Sequence, residues 1–227
     1  MIKDIFIGDF RKEEFKKTKK LLSTFDKDIK ILDVGCGYGR KITLLQSLGY
    51  KNILGVEKNE IVVDKVKSIG LKVVTLDEFE RLDNHDYDLI IMSHIIEHFD
   101  YEALKYFMEY YLKLLKKDGY LFISTPMLDK TFYTNFDHVK PYLPDSIRNV
   151  FEDDTTQMQF YSKERLRLVD IEFRKTPLSL KFFKSIYLNK PHILLKSINL
   201  ILTILFKISF GLIGTTNGWL GLYKKCS

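Results

Sequence analysis

Histidine and glutamate side chains cluster in the sequence SHIIEHF, where His94, Glu97 and His98 have the spacing HxxEH. In a helix, residues three and four positions apart share one face, so these side chains would lie together. Another histidine, His138, follows in FDHVKPY. Because a neutral imidazole accepts a proton near pH 7, we predict His98 and His138 as candidate general bases. His94 and Glu97 would support them.

The HxxEH spacing also permits other chemistry. Metalloproteases with an inverted zinc motif carry this pattern inside a helix, with a further acidic ligand downstream. Here the motif directly follows the apolar run 87–93, which argues against a protease. A divalent ion on these residues is an alternative that the sequence leaves open, so the metal is unknown. A structural alternative is that Glu97 and His98 only cap and orient a helix.

A second candidate site is the glycine-rich stretch ILDVGCGYGR at residues 31–40. Gly35, Gly37 and Gly39 follow an apolar run, and glycine both adopts positive φ and lets a ligand lie against the backbone. Backbone N–H groups at the start of the next helix can bind an anionic group. We therefore predict a ligand site at a strand end. Cys36 lies inside the turn, and we expect a small buried residue there rather than a nucleophile.

The charged residues around the turn indicate which ligand binds. Glu57 follows Gly35 by 22 residues, the spacing of a carboxylate that binds ribose hydroxyls. Arg40 stands where a dinucleotide-binding turn has its third glycine, and Asp33 would lie unfavourably beside a diphosphate. S-adenosylmethionine offers a ribose, a carboxylate and two cationic groups, an ammonium and a sulfonium. Its charges match this site, so it is the predicted cofactor.

β-Branched runs alternate with amphipathic stretches along the chain. The predicted strands are residues 29–34, 53–57, 71–76, 87–93, 120–125, 170–174 and 219–224, and the predicted helices are 41–48, 60–68 and 101–116. This alternation predicts an α/β fold, a mostly parallel sheet with helices on both faces. No repeat or linker interrupts it, so residues 1–227 are expected to form one domain.

Five motifs, in this order, resemble those of the class I S-adenosylmethionine-dependent methyltransferases. They are LDVGCGYGR, GVEKN, VVTLDEFE, YDLIIMSHIIEHF and LKKDGYLFISTP within residues 25–126, and WLGLYKK near the end of the chain extends the similarity. The resemblance implies a Rossmann-like, seven-stranded sheet in the order 3-2-1-4-5-7-6, with the last strand antiparallel. It also implies an S-adenosylmethionine-dependent methyltransferase activity.

The same resemblance implies the cofactor contacts. They are Asp33, Gly35, Cys36, Gly37, Gly39, Glu57, Lys58, Asp77, Glu78, Ser93 and His94. In this family the position of Asp77 contacts the adenine edge, and the end of the fourth strand, here Ser93 and His94, borders the methionine part. An alternative for Asp77 is that it caps a helix.

Two short segments bear on the methyl acceptor. Residues 127–160 follow the fifth predicted strand and are expected to form a lid. Within them, FDHVKPY resembles a segment, THVRPY, of bacterial methyltransferases that act on sugars and cell-surface glycans. HxxEH resembles the ExxEH of small-RNA 2′-O-methyltransferases and of ubiquinone-pathway O-methyltransferases, although His94 replaces the first glutamate.

The main expectation is therefore O-methylation of a hydroxyl on a saccharide or on a lipid-linked, cell-surface glycan. A quinone-ring hydroxyl and an RNA 2′-hydroxyl are alternatives, and a cofactor-binding protein without catalysis is a third. Nucleic acid is the less favoured partner, because the fourth predicted strand ends in SHII and not in the DPPY-type motif of base methyltransferases.

Positive charge is concentrated near the end of the chain. Residues 161–227 contain twelve Lys or Arg and three acidic residues, in a chain of net charge +6. This distribution predicts an anionic partner or a solvated lysine-rich surface. Residues 192–213 are predicted to form an apolar helix. A helix that spans a bilayer needs about 20 mostly apolar residues, and Lys196 and Lys207 interrupt this one, so a span is not expected. The helix would lie in a membrane interface, pack on the sheet or form a homodimer contact.

The composition is ordinary for a globular chain, with 45% apolar and 29% charged residues. Two cysteines and an N-terminal sequence without secretory features predict a cytoplasmic protein. The apolar helix adds the hypothesis of peripheral contact with the inner face of the membrane.

Overall fold

A computed structural model describes residues 2–82, 85–129, 131–152, 158, 160–190 and 192–226, with side chains from residue 12 onward. One sheet contains β1 Ile31–Val34, β2 Ile53–Glu57, β3 Val73–Thr75, β4 Tyr87–Ser93, β5 Leu115–Pro126, β6 Leu166–Pro177 and β7 Gly214–Lys225. Its order is β3-β2-β1-β4-β5-β7-β6. The strands β1 to β5 pair in parallel, and β7 pairs antiparallel with β5 and β6. The predicted fold class, strand order and antiparallel last strand are confirmed.

Helices lie between and before the strands. In the described part of the chain they are α1 Ile2–Leu22, α2 Arg40–Ser47, α3 Glu60–Ser68, α4 Leu76–Glu80, α5 Tyr101–Lys113, α6 Pro144–Phe151, α7 Phe183–Tyr187 and α8 Ile193–Ile208. Short 3₁₀ turns occupy Ile96–His98 and Phe132–Thr134. The predicted helix 101–116 ends early, at Lys113, because β5 already begins at Leu115.

Four helices, α1, α4, α6 and α7, are absent from the prediction. The predicted strand 71–76 stops at Thr75, where α4 begins with a capping box. The Glu78 N–H donates to Oγ1 of Thr75 at 3.1 Å, and the Glu78 carboxylate accepts from the Thr75 N–H at 2.9 Å. These reciprocal bonds satisfy two backbone donors at the start of the helix and thereby end the strand.

Apolar side chains fill both faces of the sheet, because successive residues of a strand point to opposite sides. On one side, Leu32 and Ile90 pack with α4, α5 and α6. On the other side, Ile31 and Ile91 pack with α1, α2 and α3. Each fully buried Ile or Leu side chain stabilises the fold by about 1.5–3 kcal/mol relative to exposure. Helices cover both faces, as predicted.

The predicted apolar stretch 192–213 contains α8, which follows the carboxyl end of β6. Among the helices of the described residues, none is long and apolar enough to cross a membrane.

The carboxyl ends of β1, β4, β5 and β6 meet at one edge, because β5 and β6 both run antiparallel to β7. From this edge the chain continues into the glycine turn after β1, a 3₁₀ turn after β4, residues 127–143 after β5 and residues 178–192 after β6. Open α/β sheets bind their ligands at such an edge. The fold therefore brings the glycine turn and the histidine cluster to one side of the sheet.

Candidate active site

The turn after β1 has a backbone conformation that favours glycine. Gly35, Gly37 and Gly39 have φ angles of 67°, 51° and 71°, in the left-handed region. A Cβ on Gly35 would lie 2.4 Å from Cδ1 of Ile95, whereas a Cβ on Gly37 would meet nothing within 4 Å. The backbone at Gly37 is therefore open on one side, as a ligand-binding turn requires.

A cavity of about 520 Å³ lies beside this turn, the end of β4 and α1. Six of the predicted cofactor residues line it: Asp33, Gly35, Cys36, Gly37, Ser93 and His94. The rest of the lining comes from Glu14 and Phe15 of α1 and from Tyr38, Arg40, Lys41 and Leu44. The cavity thus joins the glycine turn to the first residue of the HxxEH cluster.

Asp33 supplies a buried carboxylate to this cavity. Its side chain is 1% exposed, and Oδ2 has no hydrogen-bond partner among the described residues. Burial raises the pKa of Asp33 to about 7; the positive charge of Lys41 opposes this rise, and the negative charge of Glu57 adds to it. An unpartnered buried carboxylate is destabilising. The site therefore favours a ligand with a positively charged donor, and the ammonium of S-adenosylmethionine has that chemistry.

Glu57 ends β2 beside the glycine turn. Its Oε2 accepts a hydrogen bond from the Gly37 N–H, and its Oε1 accepts one from the Asn59 N–H, both at 3.0 Å. Each carboxylate oxygen has a second lone pair, so Glu57 can also accept from ribose hydroxyls. Cys36 is buried, and this burial raises the pKa of its thiol, so the thiol stays protonated and is a poor nucleophile.

Five predicted cofactor residues lie outside the lining of this cavity. Gly39 belongs to the glycine turn and Glu57 bonds to that turn, whereas the other three, Lys58, Asp77 and Glu78, are exposed. Glu78 belongs to the capping box of α4 and pairs with Lys67 at 3.0 Å. The N-cap of α4 is Thr75, so the alternative that Asp77 caps the helix is wrong. Cofactor contacts by these three residues stay a prediction.

His94 directly follows β4 and lies between two carboxylates. Its Nε2 is 2.9 Å from Oε2 of Glu14, and its Nδ1 is 3.4 Å from Oε1 of Glu97. Burial lowers the pKa of His94, but the hydrogen bonds and charges of Glu14 and Glu97 outweigh this effect and raise the pKa to about 9. At neutral pH His94 is therefore a protonated hydrogen-bond donor, which suits a supporting role and not that of a general base.

Glu14 of α1 is the centre of the charged network around His94. Its carboxylate accepts hydrogen bonds from Nη1 of Arg174 (2.6 Å), Nζ of Lys41 (3.0 Å) and Oγ of Ser124 (3.2 Å). Burial raises the pKa of Glu14, but the hydrogen bond from His94 and the charges of its three cationic neighbours hold that pKa well below its usual value.

Sequence reasoning missed Glu14 and Arg174, because each lies in an element, α1 or β6, that carries none of the recognisable motifs. The sequence KEEFKK contains no signal that separates Glu14 from Glu13. Only the position of α1 beside the carboxyl edge of the sheet shows that Glu14, and not Glu13, contacts His94.

His98 and His138, the two predicted bases, lie together, with ring centroids 5.2 Å apart. Nδ1 of His98 is 2.9 Å from the carbonyl oxygen of Asp137. In the neutral ring, Nδ1 therefore carries the proton and Nε2 keeps a lone pair. Nδ1 of His138 is buried and has no hydrogen-bond partner among the described residues. The HxxEH motif and FDHVKPY thus meet at one place.

Glu97 holds the backbone of Val139 and Lys140 next to the turn that follows β4. Its carbonyl oxygen accepts hydrogen bonds from the N–H groups of Val139 (2.9 Å) and Lys140 (3.2 Å). Its fully buried side chain accepts from Oγ1 of Thr125 at 3.0 Å. Movement of residues 127–160 as a lid stays a prediction, and residues 130, 153–157 and 159 of that segment lie outside the described residues.

Glu97, His98 and His138 each offer a ligand atom, and these atoms lie within 4.8 Å of one another. One carboxylate and two imidazoles form a donor set that suits divalent transition metals. His94 is not one of these three residues, and its two ring nitrogens face the carboxylates of Glu14 and Glu97. The three residues fit a divalent ion, which was the less favoured alternative from the sequence and stays untested.

A family model described as a methyltransferase domain matches residues 7–169, well over half of the chain. The chain is a class I S-adenosylmethionine-dependent methyltransferase. Over 121 residues the methyltransferase is 30% identical to the mitochondrial ubiquinone biosynthesis O-methyltransferase of Dictyostelium discoideum, which covers 46% of this chain and 36% of that protein. Over 138 residues it is 30% identical to the ubiquinone biosynthesis O-methyltransferase of Pelagibacter ubique, covering 57% and 52%. The matches span about half or less of each relative's length.

Solved structures share the fold of this methyltransferase. A SAM-dependent methyltransferase from Archaeoglobus fulgidus has a TM-score of 0.63 at 20% identity, covering 99% of this chain and 98% of that one. The magnesium protoporphyrin IX methyltransferase of Synechocystis PCC 6803, solved with bound SAM, has a TM-score of 0.56 at 13% identity, covering 99% and 83%. These structures show the shared fold. The family match confirms the predicted methyltransferase class, and S-adenosylmethionine, the predicted cofactor, agrees with it.

Proposed function

We propose that this methyltransferase methylates a hydroxyl oxygen on the ring of a small aromatic acceptor, of the kind from which quinones are made. The observation that carries the proposal is the pairing of His98 with His138 beside the strand end whose Ser93 and His94 line the cofactor cavity. A hydroxyl loses its proton as its oxygen gains the methyl group, and a neutral imidazole is a suitable acceptor of that proton.

The acceptor class is proposed from the relatives. Both relatives described above are named for ubiquinone biosynthesis and for O-methylation. The expectation of a glycan acceptor rests on the short segment FDHVKPY. Contacts within the protein account for residues of that segment, because His138 packs on His98 and Val139 bonds to Glu97. A quinone-type ring hydroxyl, an alternative from the sequence, is therefore the better supported acceptor.

The cofactor would be held by the glycine turn, Asp33 and Glu57. When bound, S-adenosylmethionine supplies a methyl group that is already activated by its sulfonium centre. The unpartnered Oδ2 of Asp33 is available to a cationic ammonium. The carboxylate of Glu57, fixed by the N–H groups of Gly37 and Asn59, is available to ribose hydroxyls. The protein's remaining task is to orient the acceptor and to remove its proton.

His98 is prepared for that proton transfer by its neighbours. The Asp137 carbonyl oxygen binds the Nδ1–H, so Nε2 is the nitrogen that can take the acceptor's proton. The buried Glu97 holds the backbone that carries His138 next to this ring. His94, kept protonated by Glu14 and Glu97, contributes positive charge and fixes the end of β4.

Incubation of the purified protein with methyl-labelled S-adenosylmethionine and separate pools of polyprenylated catechols, saccharides and RNA tests the acceptor class. Label in the catechol pool, as a methyl ether, is the expected result. Label confined to the saccharide or RNA pool would overturn the acceptor class while leaving the methyltransferase assignment intact.

A further inference from the structure

Residues 178–213 carry a large exposed apolar surface, which we call the α7–α8 surface. Tyr187 of α7 is 77% exposed, and Ile201 and Ile208 of α8 are 57% and 69% exposed. Ile193 is 78% exposed, and Phe210, just beyond α8, is 97% exposed. Soluble proteins rarely expose contiguous apolar patches of more than a few hundred Å², and larger ones mark interaction sites.

Two polar side chains of α8, those of Asn199 and Thr203, face the protein and not the solvent. Asn199 exchanges hydrogen bonds with both backbone groups of Leu180, at 2.8 and 3.0 Å. Thr203 is partly buried and donates to the Asn199 carbonyl oxygen at 2.8 Å. A helix on a water-exposed surface normally has the reverse arrangement, with its apolar side inward. The outward face of α8 is therefore suited to an apolar environment.

Charge identifies what covers this face. No acidic residue follows Glu172, whereas residues 173–227 contain nine Lys or Arg. At 3.6 residues per turn, Lys196 and Lys207 lie within about 40° of Leu200, at one border of the exposed face. Lysine stems lie along apolar surface while their ammonium groups reach outward. An apolar face bordered by lysines matches an anionic lipid surface, in which hydrocarbon lies beneath phosphates.

The length of α8 fits a helix lying flat. Its 16 residues span about 24 Å, less than the roughly 30 Å of a bilayer's hydrocarbon core. A helix that lies flat on a membrane inserts only its outward side chains into the lipid, and its inward side stays packed on the protein. The inward side of α8 packs near β6.

We infer that the α7–α8 surface docks on an anionic membrane, with the outward Ile and Leu side chains of α8 below the phosphates and Lys196 and Lys207 at their level. A second copy of the chain is a poorer occupant, because a self-complementary contact would bring like-charged lysines together in a segment without carboxylates.

Docking there would turn the catalytic edge of the sheet toward the membrane. The segment that carries the α7–α8 surface follows the end of β6, at the edge of the sheet where the candidate site lies. Arg174, near the end of β6, bonds to Glu14 of that site. A cavity of about 590 Å³, with Leu178 and Phe206 in its lining, lies between α1, the end of β6 and α8. Entry of a lipid-linked acceptor from the membrane rests on the proposed function; membrane docking itself does not.

Vesicle flotation with the full chain tests the docking. At low salt, the wild-type protein should float with vesicles of phosphatidylglycerol and phosphatidylcholine, and much less with phosphatidylcholine alone. Ile201→Glu and Ile208→Glu should each lower the bound fraction on the order of tenfold. The matched control is Ile61→Glu, the same change at a 67% exposed residue of α3, and it should bind like the wild type.

Wild-type protein that stays at the bottom of the gradient with anionic vesicles would overturn the inference. Equal losses in Ile61→Glu and Ile201→Glu would overturn it too. A dimer by light scattering that Ile201→Glu dissociates, without vesicle binding, would instead assign the surface to contact between copies. The vesicles contain no methyl acceptor, so failure here is distinct from failure of the proposed methylation.

Discussion

At the residue scale, the histidines of the site differ because their neighbours differ. Glu14 and Glu97 surround His94 with negative charge, and its raised pKa keeps it protonated at neutral pH. A neutral carbonyl oxygen, that of Asp137, faces Nδ1 of His98 and fixes its tautomer without adding charge. The neutral ring of His98 would therefore present the lone pair of a general base on Nε2, whereas protonated His94 has none.

Removal of either candidate base should slow methyl transfer without weakening cofactor binding. We expect His98→Ala or His138→Ala to lower kcat by about 10²–10⁴-fold, the usual contribution of general-base catalysis. Calorimetry should give nearly unchanged Kd values for S-adenosylhomocysteine. His85→Ala, at an exposed histidine outside the site, is the matched control.

Wild-type turnover in both variants would exclude both residues as the base. A chelator separates the remaining alternatives. Activity that is lost in EDTA and restored by Mg²⁺ or Mn²⁺ would mean that Glu97, His98 and His138 hold a metal ion. Unchanged activity in EDTA would agree with general-base catalysis without a metal.

The buried carboxylate of Asp33 should favour cofactor binding at the expense of stability. Its pKa is raised from 3.8 to about 7 by folding, so the wild type loses stability as the pH rises from about 4 through 7. Asp33→Asn should therefore raise the free energy of unfolding of the cofactor-free protein at pH 8 by about 1–4 kcal/mol. The same change should weaken S-adenosylmethionine binding, because Asn offers the ammonium no charge.

Urea unfolding at pH 8 and at pH 5, with calorimetry for the cofactor, measures both effects. The stability difference should shrink as the pH falls from 7 toward 4, because folded wild-type Asp33 is then protonated. Asp64→Asn, at an exposed position of α3, is the control. An Asp33→Asn variant with wild-type stability at pH 8 and wild-type affinity would contradict the role assigned to Asp33.

At the element scale, α1 and β6 complete a site whose other parts lie at the carboxyl ends of β1, β2, β4 and β5. Arg174 and Glu14 are 160 positions apart in sequence and 2.6 Å apart in the structure. A second contact strengthens this packing, because Lys17 and Lys20 of α1 both pair with Glu172 of β6. The cavity wall formed by α1 thus depends on charges from β6.

Glu14→Gln tests the contribution of α1. Loss of one carboxylate should lower the pKa of His94 from about 9 toward 6.5, by about 1 to 2 pH units. It would also remove the ion pair between Glu14 and the buried Arg174 guanidinium, so stability should fall by on the order of 3 kcal/mol. A pH titration of the His94 ring by NMR and thermal unfolding measure the two effects.

Glu13→Gln is the matched control for this element, because Glu13 precedes Glu14 in α1 and its 3.8 Å ion pair with Lys17 lies outside the His94 network. It should leave the titration of His94 unchanged. A Glu14→Gln protein in which His94 still titrates near pH 9 would contradict the network described here.

At the scale of the whole molecule, the features that could be predicted from the sequence are those fixed by local patterns. The glycine turn follows from a motif of ten residues, whereas the strand order was implied by the resemblance of five such short motifs, in their order, to one family. The proximity of His98 and His138 could be predicted because each follows the carboxyl end of a strand, β4 or β5, at the same edge of the sheet. A site can be predicted from local sequence where the same few residues determine both the backbone conformation and the side chains that bind or react.

The parts that could not be predicted depend on contacts between distant segments. The lysine-rich sequence of α1 has no sustained apolar period, and among its described side chains, those of residues 12–22, Leu21 and Leu22 belong to the core. The residues VVTL are typical of a strand, so the sequence did not reveal that Thr75 and Glu78 form the capping box of α4. The inward side of α8 became clear only from the bonds between Asn199 and Leu180.

The most direct test of the central claim is methyl transfer to oxygen in a defined reaction. Purified protein, S-adenosylmethionine and a polyprenylated catechol should give a methyl ether and an equal amount of S-adenosylhomocysteine, both measured by mass spectrometry. His98→Ala should suppress both products together. Formation of no ether by wild-type protein that binds S-adenosylhomocysteine, or a methyl group found on carbon or nitrogen, would contradict the account.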